Sequence, residues 1–166
     1  MATTSTTRST SAAAKKNSAA QDAVQLLTKD HREVKTLFKK YEKLVAADAP
    51  PEERQELARL ICTMLTVHAT IEEEIFYPAA REALSEVDLL NEAEVEHASA
   101  KDLIAQILSM DPLDLLYDAK VTVLGEYIDH HVQEEENEMF PKAQKAGMNL
   151  EALGTELMAR KSELIG

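Results

Sequence analysis

His68-Ala-Thr-Ile-Glu72-Glu-Glu-Ile-Phe-Tyr-Pro78 is repeated, 63 residues later, as His131-Val-Gln-Glu-Glu135-Glu-Asn-Glu-Met-Phe-Pro141. Histidine, glutamate, aromatic and proline fall at the same offsets in both. On a helix, positions i and i+4 share one face about 6 Å apart along the axis. An imidazole and a carboxylate so placed can grip one metal ion or two adjacent ones. A single such pair carries little weight, because the spacing arises by chance. Two copies in matching context carry much more.

The repeat has a second element. Asp30-His31 with Lys35, Leu37 and Phe38 aligns with Glu96-His97 followed by Lys101, Leu103 and Ile104. The order along the chain is therefore His, His-x-x-x-Glu, His, His-x-x-x-Glu. This predicts a duplicated helical hairpin, each copy supplying two histidines and one glutamate, and such duplication is the first feature to look for in a sequence.

Working outward, the apolar spacing predicts four amphipathic helices. The first covers about residues 20–47, with Val24, Leu27, His31, Val34, Phe38, Tyr41 and Val45 on one face. Ala49-Pro50-Pro51 breaks it, and Pro51 suits the first turn of a second helix over 51–77, ended or kinked at Pro78. Ser85 with Asp88 reads as a capping box opening a third helix over 86–110, and Asp111-Pro112 as the start of a fourth. A fifth, shorter amphipathic segment runs from Asn149 to Ile165. The short connections imply antiparallel neighbours. The expected class is all-α, an up-down-up-down antiparallel four-helix bundle with a short additional C-terminal helix.

The chain of 166 residues, 45% hydrophobic, is long enough for one domain with its own core. Its net charge of −12 argues against nucleic acid and against an anionic membrane surface as partner. No apolar run approaches the ~20 residues of a spanning helix. The single Cys62 excludes an intramolecular disulfide and suits a reducing compartment, so a cytoplasmic location is expected. Residues 1–20, rich in Ser, Thr and Ala, lack the apolar content to offset ordering entropy and read as a disordered tail, with an organelle transit peptide as the other reading; residues 21–166 form the bundle.

In this register His31, His68, His97, His131, Glu72 and Glu135 all occupy positions where apolar residues belong. A lone histidine on an apolar face is usually a satisfied core residue. Two glutamates there, with no Lys or Arg plainly on the same faces, demand positive charge from another source, which a dinuclear metal centre supplies. His130 reads as a surface residue or one just outside the ligand set, with a ligand as the sharper alternative. Glu73, Glu74, Glu134, Glu136 and Glu138 read as solvated, with one adjacent to the site tuning or binding a metal as the other reading, and Cys62 as core. Tyr41 and Tyr127 read as inner-face residues, with a phenol near a metal as the sharper alternative. Four imidazoles and two carboxylates favour iron over calcium or magnesium, and no thiolate set is present for structural zinc.

These motifs resemble the hemerythrin-like, or HHE cation-binding, family over about residues 22–145. The resemblance implies a non-haem, oxo- or hydroxo-bridged pair of iron ions held by His31, His68, Glu72, His97, His131 and Glu135. Oxygen-carrying hemerythrins place a second histidine four residues from the one on the third helix, where this chain has Ala93 and Lys101. They also use an aspartate where this chain has Glu136. Those departures fit the bacterial and regulatory branches. The expected function is a di-iron protein that binds or senses oxygen, nitric oxide or iron. The alternative is an enzyme breaking down peroxide or nitric oxide, with Tyr41, Tyr127 or His130 as proton donor. The expected partner is a small diatomic ligand or peroxide; the sequence identifies no protein partner.

Overall fold

Residues 21–166 are described by the computed structural model, and the tail expected over 1–20 lies outside them. Helix α1 (Ala23–Ala46) begins with a capping box in which the Asp22 carboxylate accepts from the Gln25 amide and the Gln25 side chain accepts from the Asp22 amide. It turns at Asp48, held at φ 50°, a left-handed conformation that Asp tolerates better than most residues. Helix α2 (Pro51–Ile71) starts with proline in its first turn and with Glu52 and Glu53 near its positive end, as expected.

The helix does not stop at Pro78. It passes through a π-helical turn, Glu72–Phe76, into α3 (Tyr77–Ala83). The Tyr77 amide donates to the Glu72 carbonyl five residues back, and the wider turn absorbs a proline that has no amide of its own. Helix α4 (Val87–Ser109) has no side-chain cap, so the capping box expected from Ser85 and Asp88 does not form.

Helix α5 (Tyr117–Glu134) starts later than Asp111-Pro112 implies. Asp111 and Asp114 instead accept from the amides of Leu113 and Leu116, two Asx turns that compete successfully with helix. A second π turn, Glu135–Met139, leads into α6 (Phe140–Lys145), repeating the first hairpin's geometry, again with a proline just after it. Helix α7 (Leu150–Ile165) is capped by Asn149.

Helix α1 packs on α2 and α5, and α4 packs on the same two, which gives the bundle a square section with α1 and α4 on one diagonal. Helix α7 lies across α1, α2 and the first π turn. It approaches closely because residue 154 is glycine: a Cβ there would sit 2.3 Å from the Gln21 carbonyl oxygen. No strand occurs among the described residues, and none of their helices is long and apolar enough to cross a membrane.

The core is split in two along the bundle axis. One cluster joins Leu26, Leu27, Ile71, Phe76, Leu90, Met139, Phe140 and Leu157. The other joins Val34, Tyr41, Ile61, Cys62, Leu65, Ile104, Tyr117 and Leu124. Between them lies a tier of buried polar residues: His31, His97, His131, Glu72 and Glu135, together with Asp30 and the nearly buried His68.

Candidate metal centre

All six residues singled out by the repeat converge on that tier. They form two overlapping quartets, His31, His68, Glu72 and Glu135, and His97, His131, Glu72 and Glu135, each with its ligand-type atoms within 4.8 Å of one another. Both glutamates belong to both quartets through different oxygens. Glu72 Oε1 lies 2.8 Å from His68 Nε2, while its Oε2 lies 3.1 Å from His97 Nε2. Glu135 Oε2 lies 3.3 Å from His31 Nε2, and its Oε1 lies 2.8 Å from His131 Nε2. The imidazoles also face each other by Nε2, at 3.2 Å for His31 and His68 and 3.0 Å for His97 and His131.

These short contacts are not a satisfied hydrogen-bond network. Glu72 Oε1 and Glu135 Oε2 are fully enclosed yet have no hydrogen bond of acceptable geometry, despite the nearby imidazole nitrogens. Donor atoms crowded around common points, with lone pairs left over, are what a pair of cations would fill.

The outer nitrogens strengthen this reading. Three histidines meet a carboxylate through Nδ1, His31 with Glu136 at 3.0 Å, His97 with Glu73 at 3.1 Å and His68 with Asp30 at 3.3 Å, while His131 Nδ1 faces Glu96 at 3.6 Å without a hydrogen bond. A proton held on Nδ1 leaves Nε2 free to bind metal, and such partners fix ring orientation in metal sites. The same pseudo-two-fold relates all four pairs. Glu73 and Glu136, expected to be solvated, are thus orienting residues. The signal for them was the doubled glutamate after each ligand in the repeat, and for Asp30 and Glu96 the acid preceding each single histidine. Asp30 is itself held by Lys161 of α7, and Glu73 by Lys101 at 2.5 Å.

Tyr77 is the residue the sequence reading missed. Its buried hydroxyl donates to Glu135 Oε1 at 2.5 Å and lies 3.1 Å from Glu72 Oε2, 3.1 Å from His97 Nε2 and 3.3 Å from His131 Nε2. At the equivalent position in the other half, Phe140 stacks on His31 with ring centroids 5.9 Å apart. The tyrosines singled out earlier lie elsewhere. Tyr41 is buried as expected but donates to Asp118 at 2.6 Å. Tyr127 is 49% exposed, which corrects its placement on an inner face, because it falls to the side of the inward stripe of Leu124, His131 and Glu135. The His130 side chain is 69% exposed and pairs with Glu134.

Electrostatics follow from the crowding. Burial disfavours a charged His68, but Glu72 and Asp30 more than offset it and bring its pKa up to about 10. Burial is likewise overcome at His131 by Glu135 and Glu96, giving about 11. Burial would raise the Glu72 pKa, yet His68 and His97 hold it well below the usual carboxylate range. At Glu135 burial and the charge of Glu72 push upward, and His131 and His31 prevail to lower it. Burial and both glutamates push the Tyr77 phenol well above its ordinary value. Without metal, then, the two buried carboxylates are balanced by protons on imidazoles.

A family model, that of the hemerythrin HHE cation-binding domain, matches residues 22–143. The chain belongs to this family. A crystal structure of a hemerythrin HHE cation-binding domain-containing protein from Mycobacterium kansasii superimposes with a TM-score of 0.71 at 26% identity, covering 87% of each chain. A DNA nickase of Nostoc sp. is 30% identical over 146 residues, covering 87% of this chain and 39% of that protein. The HHE chain therefore spans well under half of that relative's length.

Proposed function

We propose that the chain is a non-haem di-iron protein that binds or senses a small ligand, oxygen or nitric oxide, or iron itself. The observation that carries this is the pair of buried quartets sharing Glu72 and Glu135, each oxygen of each carboxylate facing a different imidazole. His31 and His68 would hold one ion and His97 and His131 the other, with both glutamates bridging. A donor set of four nitrogens and two carboxylates, without thiolate, suits iron. When bound, the ions would supply an open coordination position for a small ligand. The protein's own share is to orient the imidazoles through Asp30, Glu73, Glu96 and Glu136, and to exclude bulk water by the two apolar clusters.

One observation favours the enzymatic alternative, breakdown of peroxide or nitric oxide. Tyr77 puts a hydroxyl at hydrogen-bond distance from the atoms of one quartet only. A positioned proton donor of this kind is what turnover needs and what simple binding does not. The net charge of −12 gives no support to carrying the Nostoc relative's activity on DNA over to this chain. The buried free Cys62 supports a reducing, cytoplasmic setting.

The test is metal analysis with an absorption spectrum on protein purified without chelator. We expect two irons per chain, with both lost in Glu72→Ala, since that residue serves both quartets. Folded protein that cannot be loaded with iron would refute the proposal.

A further inference from the structure

The two sides of the histidine tier are packed differently. On the π-turn side, Phe76, Tyr77, Met139 and Phe140 are all buried in one apolar cluster. On the other side, the residues one turn away are Val34, Leu65, Ala100 and Ile128, and they leave a cavity of about 400 Å³. All four site histidines line it, whereas Glu72, Glu135 and Tyr77 are not among its lining residues. The carboxylates thus approach the centre from the filled side, and the imidazoles border an open, largely apolar chamber.

We propose that this cavity is the binding site of an uncharged, straight-chain aliphatic molecule of about ten carbons, lying with one end against the four imidazoles. Its size exceeds what a diatomic ligand needs. A water molecule, similar in bulk, takes about 30 Å³, while an apolar cavity of about 150 Å³ holds benzene. By that measure the chamber has volume for about sixteen carbons, more than enough for ten, and its length sets the tighter limit.

Length agrees. From Leu60 to His68, both lining residues, α2 rises about 12 Å. An extended chain advances roughly 1.3 Å per carbon from bond geometry, so ten carbons match. A charged head finds no free counter-charge among the described residues at the rim, where Lys101 is engaged with Glu73 and Lys161 with Asp30, or at the inner end, where His68 and His131 are paired with Glu72 and Glu135. The hydroxyl of Thr66 is committed to the Cys62 carbonyl. The chamber is therefore suited to a hydrocarbon tail with at most a small neutral head.

Only the contact with metal rests on the di-iron reading; the cavity does not. The test is calorimetric titration of the full chain with straight 1-alkanols from four to fourteen carbons, on protein as purified and after metal removal. Affinity should rise about four-fold per methylene, reach its maximum near ten carbons and then fall. In Ala100→Leu, which adds three carbons to the wall, the maximum should move to chains about three carbons shorter. A milder Ala100→Val should move it by about two, which keeps the test open if the leucine variant misfolds.

In metal-loaded protein, decanol should shift the absorption of the iron centre. Affinity that climbs without a maximum, or a maximum unmoved by filling the wall, would overturn the proposal, as would no saturable binding. Alkanol binding with no metal retained would count against the di-iron function and leave the cavity assignment standing.

Discussion

Reloading metal-free protein with ferrous iron under anaerobic conditions should release the protons that His68 and His131 carry. In the metal-free state His68 and His131 titrate at about 10 and about 11, so both are charged at neutral pH. A metal takes the Nε2 lone pair only of a neutral imidazole, so both protons must leave. We expect about two protons per chain, read by an indicator dye in weak buffer or by calorimetry in two buffers of different ionisation enthalpy.

Each unit of pH below such a pKa costs about 1.4 kcal/mol per group. The overall affinity for two ions should therefore rise about a hundred-fold per pH unit between roughly 7 and 9. For the metal-free protein the signs run the other way. The raised histidines stabilise the fold fully below their usual 6.5, and that stability is lost as pH climbs through their folded values. The depressed glutamates stabilise it above their usual 4.5 and lose that as pH falls through theirs. Chelated protein should be most stable between those limits, near pH 5 to 6, and metal should add most above 7. Proton release near zero, or iron affinity flat with pH, would refute this charge balance.

Three further outcomes follow from single side chains. Tyr77→Phe copies the residue at the equivalent position in the other half, so it should fold and keep both metals, while peroxide consumption falls about 10²- to 10⁴-fold if the protein is an enzyme; unchanged consumption would favour a pure binder. Glu73→Gln weakens the hold on His97 Nδ1 and should reduce affinity for one of the two ions by about 10- to 100-fold, splitting iron loading into two phases in a titration. Gly154→Ala forces the N-terminal end of α1 away from α7, where a Cβ would stand 2.3 Å from the Gln21 oxygen. Overpacking of about 1–3 kcal/mol should outweigh the helix-propensity gain of up to 1 kcal/mol, lowering Tm by a few degrees in a thermal melt without changing iron content.

The all-α bundle and the convergence of six side chains were legible because both depend on periodicity. Period 3.6 places His31, Val34 and Tyr41 on one face, and duplication then tells the four faces apart. Features that depend on local backbone competition were not legible. Pro78 and Pro141 sit inside patterns that continue beyond them, and the π turn that absorbs each proline has no composition of its own. Asp111-Pro112 has the composition of a helix start, but Asp114 offers a second Asx turn, and together the two delay α5. Gly154 carried a signal, an isolated glycine inside a helical pattern, whose meaning depends on which neighbour approaches.

The duplication that made the site readable also conceals what distinguishes its halves. Aligning the repeats treats Tyr77 and Phe140 as one aromatic position, yet the phenol donates into the His97–His131 quartet while the phenyl only stacks on His31. Asp30 and Glu96 align as one acid, yet Asp30 is paired with Lys161 of α7, a helix with no counterpart in the other half. Glu96 has no lysine, and its neighbour Glu134 is raised by burial and by Glu96 itself. His68 therefore leans on a carboxylate paired with a lysine, and His131 on one held below the usual range by His131 itself, with smaller help from Glu134 and His130. The two quartets built by one repeat are thus chemically unequal. On the proposed di-iron reading, the His97–His131 quartet, with a proton donor at hand, is the one where a bound ligand would be turned over if the protein is an enzyme, and the His31–His68 quartet, covered by Phe140 and α7, is the one that would hold its ion fixed.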